Sequence, residues 1–128
     1  FGDPETQSIL PRLESDLLPL LAGDLSEEPE VAARAAVTLV LTAPDYPARS
    51  DYSGTPIEGV AEAEAAGVLV FHAGTALHEG RLVTNGGRIL NVVGLGATVD
   101  EARSAAYDGA GRIHFAGMHL RTDIAANA

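Results

Sequence analysis

Arg81-Leu82-Val83-Thr84-Asn85-Gly86-Gly87-Arg88-Ile89-Leu90-Asn91-Val92-Val93 sets two runs rich in branched residues on either side of Asn85-Gly86-Gly87. Asparagine and glycine accept positive φ, so the stretch predicts a hairpin made of a strand from Arg81 to Thr84, a tight turn, and a strand from Arg88 to Val93. Working outward, Ala76 to His78 reads as a short strand joined to the first at Glu79-Gly80, and Val68 to His72 as another before the turn Ala73-Gly74-Thr75. On the other side, Gly94-Leu95-Gly96 leads to Thr98 and Glu101, a capping box for a helix reaching about Tyr107, and Ile113-His114-Phe115 reads as a last strand. Strands this closely spaced pair with their neighbours in antiparallel fashion. The expected fold class is therefore α+β, a mainly antiparallel sheet with flanking helices.

The first half is more helical. Ile9, Leu10, Leu13, Leu17, Leu18, Leu20 and Leu21 recur at spacings of three and four, which puts them on one face of a helix from Glu5 to Leu21, with a kink or break near Pro11 and Pro19. Pro4 suits its first turn and Asp3 its cap. An acidic turn or short helix from Asp24 to Glu30 follows, then Ala36 to Thr42, whose unbroken apolar run reads as a strand buried on both faces. It ends at Ala43-Pro44-Asp45-Tyr46-Pro47; a surface loop runs from Ala48 to Thr55, and Pro56 can open a short helix through Ala65.

Composition narrows the function. The 128 residues, 46% hydrophobic and 20% charged, are enough for one packed core. Eighteen acidic against 8 basic residues give a net charge of −10, which repels nucleic acid and anionic membrane surfaces, so any anionic ligand must be held by local chemistry. With no cysteine, thiolate catalysis and zinc–cysteine sites have no ligands. No apolar stretch approaches the ~20 residues of a membrane span, and no signal peptide is legible, so the expected location is cytoplasmic. The start at Phe1-Gly2-Asp3-Pro4, without an initiator methionine, reads as the beginning of a fragment.

Four features bear on chemistry. In Gly2-Asp3-Pro4-Glu5-Thr6-Gln7 two carboxylates sit at a helix start. They are either a cap and a first-turn acid, or a pair that orients an amine and removes its proton; spacing does not choose. His72, at a strand end before Ala73-Gly74-Thr75, either binds a ligand or closes the turn. The four histidines lack metal-ligand spacing, so no metal site is expected. Gly94-Leu95-Gly96 lacks the third glycine or alanine of a dinucleotide fingerprint and reads as a tight strand-to-helix connection. Arg121 and Asp123 form either an exposed ion pair or an anion clamp.

In this order the features resemble the C-terminal region of the glycinamide ribonucleotide synthetase family. The likeness rests on Phe1 to Gln7, on Val37 to Leu41 with Tyr46-Pro47, on Val70 to Thr75, on Leu82 to Leu90, on the helix reaching Ala106-Tyr107, and on Arg121-Thr122-Asp123-Ile124. The resemblance implies an ATP-grasp ligase that joins glycine to 5-phosphoribosylamine in purine biosynthesis. It implies residues 1–25 as the end of the ATP-grasp domain and residues 26–128 as the C-terminal domain, similar to the hybrid-motif domain of biotin carboxylase. Asp3 and Glu5 become catalytic acids facing the amine. Gln7, His72, Gly74, Thr75, Arg121 and Asp123 become substrate contacts.

ATP and magnesium would be held by other parts of the ligase, its N-terminal and ATP-grasp domains, with neither expected on this piece, which would be inactive alone. Two positions depart from the family pattern: Asp45 precedes Tyr46-Pro47 where glycine is usual, and Ala125 follows Ile124 where glycine is usual. Two competing readings are a free-standing acidic module binding a small ligand or a protein, and a hydrolase using Asp3 and Glu5 as an acid and base pair.

Overall fold

A computed structural model describes residues 2–128; Phe1, the first residue of the N-terminal block, lies outside them. The element order is α1 (Glu5–Ile9), a 3-10 turn (Leu10–Arg12), α2 (Leu17–Leu21), β1 (Ala35–Thr42), β2 (Ser53–Pro56), α3 (Val60–Ala65), β3 (Leu69–His72), β4 (Thr75–His78), β5 (Arg81–Asn85), β6 (Arg88–Gly96) and α4 (Val99–Ala110). The strands form two antiparallel three-stranded sheets, ordered β1-β6-β3 and β2-β5-β4. The α+β class with antiparallel pairing stands as expected, with two sheets where one was expected.

The Asn85-Gly86-Gly87 hairpin does not form. Its two flanking strands, β5 and β6, lie in different sheets. The backbone amides that a hairpin would direct across the turn find distant partners: Asn85 N–H donates to Gly74 O at 2.7 Å and Gly86 N–H to Tyr52 O at 2.8 Å. Gly87 O accepts from Ala43 N–H at 2.8 Å. The chain uses this stretch as a corner between sheets. The hairpin lies one turn earlier, where Glu79 (φ 50°) and Gly80 (φ 77°) connect β4 to β5 with the paired positive φ angles of a two-residue turn.

The first sheet carries the core. On β1, Val37, Leu39 and Leu41 are buried, while Thr38 and Val40 on the opposite face are only half-buried, so the strand is not covered on both faces as its composition suggested. α4 covers the inner face, bringing Ala102, Ala106 and Ala110, all fully buried, against β6 and β1. The approach is close enough that a Cβ on Gly94 would fall 2.1 Å from Ala102 O and 2.4 Å from Ala106 N. Gly94-Leu95-Gly96 is thus the end of β6 under a helix, not a connecting loop. Thr98 caps the helix as expected, its Oγ1 accepting from Glu101 N–H at 3.2 Å, while Glu101 Oε2 reaches one residue further back and accepts from Ala97 N–H at 2.8 Å.

Other elements differ locally from expectation. The helix predicted from Glu5 to Leu21 is two short pieces, broken where Pro11 enters the 3-10 turn; Pro19 causes no break because it sits in the first turn of α2, where an amide has no partner to lose. Leu18 and Leu21 are 73% and 74% exposed, so the leucine stripe does not face this core. Pro56 opens no helix but ends β2, an edge strand that tolerates a missing donor, and the helix starts later, after Gly59. Ile113 and Phe115 are buried, yet the segment makes only a single bridge, His114 to Glu58.

Candidate functional site

The outer face of the first sheet, opposite α4, is where the dispersed motifs meet. On β1 this face presents Thr38, Val40 and Thr42, and on β6 it presents Asn91, which pairs with Val40. The register shifts between Leu41 and Thr42: Leu41 pairs with Leu90, but Thr42 pairs with Arg88, leaving Ile89 as the extra residue. Without this irregularity, Arg88 would share the face of Leu90 and Val92 and point into the core. With it, Arg88 joins Thr42 on the outer face, the kind of redirection a bulge provides.

Residues 2–12 cover part of that face. α1 is laid against β1, with Ser8 Oγ and Thr38 Oγ1 2.6 Å apart. Asp3 does not cap the helix: Pro4 occupies the N-cap position and no side-chain cap bond is made. The Asp3 carboxylate reaches across to β6 instead, accepting from Asn91 Nδ2 at 2.9 Å and lying 3.4 Å from Arg88 Nε. Arg88 Nη1 also donates to the Asp3 main-chain oxygen at 3.3 Å. Asn91 is 1% exposed, and its Oδ1, like Oε1 of Gln7 on α1, is buried without a partner among the described residues. Glu5 is exposed in the first turn of α1.

Two cavities flank Arg88 and share Tyr46. One, of about 370 Å³, is bounded by Asp3, Ser50, Gly74 and Gly87 at the corner where the sheets join. Gly74 fits there because it lacks a side chain: a Cβ would lie 2.6 Å from Arg88 O. The other, of about 490 Å³, has Val40, Leu120 and Ile124 as its apolar part, and Thr38, Thr42, His119 and Arg121 as polar groups. Pro4 and Pro47, each after a cis peptide bond, complete its rim.

Of the remaining expected site residues, Arg121 lines the larger cavity, whereas His72, Thr75 and Asp123 line neither. His72 Nδ1 and Thr75 Oγ1 lie 3.1 Å from each other, so this pair closes its own turn, and neither lines the two cavities. Asp123 holds Arg121 through both carboxylate oxygens, at 2.9 Å to Nε and 2.6 Å to Nη2. That pair is exposed; the contact holds the Asp123 carboxyl below its ordinary range and the Arg121 guanidinium above its own. The backbone around them is fixed from α4: Tyr107 hydroxyl donates to Arg121 O, and Arg103 donates to Thr122 O and Ile124 O. Sequence reasoning missed Arg88 and Asn91 as site residues. Their signal was polarity inside an apolar strand, at positions where a charged or amide group needs a reason to be buried.

The phosphoribosylglycinamide synthetase C domain family matches residues 36–127. The chain belongs to that family. Within it, the phosphoribosylamine–glycine ligase of Leifsonia xyli is 48% identical over 100% of this chain and 33% of its own length. The ligase of Vibrio cholerae is also 48% identical, over 97% of this chain and 30% of its own. The crystal structure of phosphoribosylamine–glycine ligase from Thermotoga maritima superposes with a TM-score of 0.76 at 38% identity, covering 98% of this chain and 31% of that one. The chain therefore spans about a third of the length of the relatives it matches. Among the described residues no group of three histidines and carboxylates is placed to hold a metal ion, and no helix is long and apolar enough to cross a membrane.

Proposed function

We infer that this chain is the C-terminal third of a phosphoribosylamine–glycine ligase of purine biosynthesis, and that it forms one wall of the site where glycine and 5-phosphoribosylamine are joined. The observation that carries the reading is the meeting of the N-terminal block with the family domain: Asp3 is bonded to Arg88 and Asn91 at the edge of two cavities. The cavity beyond Arg88 presents guanidinium, imidazole and hydroxyl groups, which suit an anionic substrate and not a cation. ATP and magnesium are assigned to the N-terminal and ATP-grasp domains, the partners of this piece, and the enzyme to the cytoplasm.

In the joining step the amine nitrogen attacks the carbonyl carbon of glycine activated as its acyl phosphate. The C–N bond forms, the C–O bond to phosphate breaks, and a proton leaves the nitrogen. To Glu5, exposed at the start of α1, this reading assigns acceptance of that proton, and to Asp3 the fixing of the local geometry through Asn91 and Arg88. Gln7, His72, Gly74, Thr75, Arg121 and Asp123 contribute to the surrounding substrate surface. Residues 1–25 belong to the ATP-grasp domain and 26–128 to the C-terminal domain; Leu18, Leu21 and Leu25, 73–75% exposed, support this by presenting an apolar surface toward parts beyond the chain.

The test is ADP release that requires both glycine and phosphoribosylamine, measured on the polypeptide in which this chain follows the segments its relatives carry before it. Glu5→Gln and Asp3→Asn should each lower turnover at least tenfold with ATP affinity within about twofold of the parent, since removal of a general acid or base typically costs about 10²–10⁴ in rate. Unchanged turnover in both variants would refute the role given to these carboxylates.

A further inference from the structure

We propose that Asn85 is a modification site, where the chain loses ammonia to become aspartyl or isoaspartyl, and that the corner between the sheets restrains this reaction by engaging the Gly86 amide. Of the three asparagines, Asn85, Asn91 and Asn127, only Asn85 precedes a glycine. A side chain on the following residue crowds the backbone nitrogen that must attack, and glycine has none. The inference is independent of the ligase reading.

The reaction consumes only water. The backbone nitrogen of Gly86 attacks Cγ of Asn85, so that a C–N bond forms and closes a succinimide. The bond from Cγ to the side-chain nitrogen breaks, and ammonia leaves with the proton given up by the Gly86 nitrogen. Water then adds to one of the two ring carbonyls. Opening at the side-chain carbonyl restores the ordinary backbone with an aspartate; opening at the main-chain carbonyl routes the backbone through Cγ and lengthens it by a carbon.

The corner both creates this liability and contains it. Gly86 has φ 155°, and a Cβ there would stand 3.2 Å from Gly74 Cα, so the position asks for the glycine that makes Asn85 reactive. The Gly86 N–H, however, donates to Tyr52 O at 2.8 Å, which commits both the proton and the direction of the attacking nitrogen. Asn85 ends β5 and is held extended by pairing with Ser53 and by its own N–H, which donates to Gly74 O at 2.7 Å. Tyr52 is itself anchored, its hydroxyl donating to Ala116 O at 2.6 Å. The Asn85 side chain is exposed, so the restraint falls on the nucleophile and not on the amide it attacks. Conversion therefore waits for a local opening that breaks the bond from Gly86 to Tyr52, and its rate follows the population of that open state.

The two products differ in consequence. An aspartyl residue adds a charge to an exposed side chain. An isoaspartyl residue lengthens the backbone immediately before Gly87, whose carbonyl accepts from Ala43 N–H at 2.8 Å and which lines the smaller cavity with Gly74 and Arg88. That form loosens the junction of the two sheets and the cavity built on it.

The experiment holds the chain at mildly alkaline pH and follows it by peptide mapping that separates the asparaginyl, aspartyl and isoaspartyl forms of residue 85, with hydrogen exchange of the Gly86 amide read in parallel. In the urea-unfolded chain Asn85 should convert ahead of Asn91 and Asn127. In the folded chain it should convert at least about tenfold more slowly, with Gly86 exchange slowed alongside. Tyr52→Phe, which removes the hydroxyl anchor, should speed both by about fivefold. Gly94→Ala, which lowers stability from beneath α4, should leave both within about twofold of the parent, because the opening is local. Should Tyr52→Phe not fold, the parent in low urea replaces it: conversion and Gly86 exchange should rise together before the global transition begins. Asn85→Asp should keep the parent melting temperature, and the isoaspartyl form, converted unfolded and then refolded, should melt lower. Equal conversion in folded and unfolded chains, or earlier conversion at another asparagine, would overturn the site. Equal acceleration by Gly94→Ala and Tyr52→Phe, or conversion that rises only with global unfolding, would overturn the role of the corner. An isoaspartyl form that melts with the parent would overturn the structural consequence.

Discussion

Arg88 and Asp3, 85 positions apart in the chain, are joined twice: Nε of the arginine lies 3.4 Å from the carboxylate and Nη1 donates to the main-chain oxygen at 3.3 Å. This contact fastens the N-terminal block to the outer face of the first sheet, and it stands where both cavities begin. The side chains are 27% and 43% exposed for Asp3 and Arg88, so solvent screens the pair. A double-mutant cycle of Asp3→Asn and Arg88→Gln, read by urea unfolding, should give a coupling of about 0.5–1 kcal/mol. Additive effects would mean that the contact does not hold the block.

Gly94 decides how near α4 comes to β6. A Cβ there meets backbone atoms of Ala102 and Ala106, which have no rotamer with which to retreat, so Gly94→Ala should destabilise by about 2–3 kcal/mol. Thermal unfolding measures it. Gly23, which has open space within 4 Å and positive φ, should lose only about 1 kcal/mol on the same change.

Glu79 and Ala125 are the residues other than glycine with positive φ among those described, at 50° and 54°. The left-handed region costs an L-residue about 1–2 kcal/mol that glycine avoids and asparagine partly avoids. Ala125→Gly and Glu79→Asn should each raise stability by about 0.5–1 kcal/mol, seen as a higher melting temperature.

Asp123 should titrate below an ordinary aspartate because Arg121 donates to both its oxygens, and Asp51 likewise through Arg49. A depressed folded-state pKa favours the native state above the unfolded value of 3.8, and this contribution disappears as pH falls through the folded value. Both groups are fully exposed, so the effect on global stability should be small and salt-sensitive. Carboxyl chemical shifts followed against pH in the parent and in Arg121→Gln check it: Asp123 should move up toward its ordinary range in the variant while Asp51 stays low.

Much of this molecule is legible along the chain because the signals are local. The strands at 36–42 and 68–72, the turn at Glu79-Gly80 and the capping box of Thr98 and Glu101 each depend on neighbours within a few residues, and the structure carries them within a residue or two. The motifs Gly2 to Gln7, His72 to Thr75 and Arg121 to Ile124 are also visible as chemistry, and with Tyr46-Pro47 their order along the chain points to the family that residues 36–127 match.

What the tertiary structure alone decided is where local rules compete with distant partners. Asn85-Gly86-Gly87 has the residues of a hairpin, but Gly74, Tyr52 and Ala43 capture its backbone groups, and two sheets result where local preference asked for one. Asp3 has the position of a helix cap, but Asn91 and Arg88 offer its carboxylate charged and buried donors that α1 does not. Arg88 has the parity of a core residue, and one shift of register against Thr42 turns it to the site. Sequence spacing fixes propensities within a few residues; register, sheet membership and ion-pair choice depend on groups brought together from opposite ends of the chain.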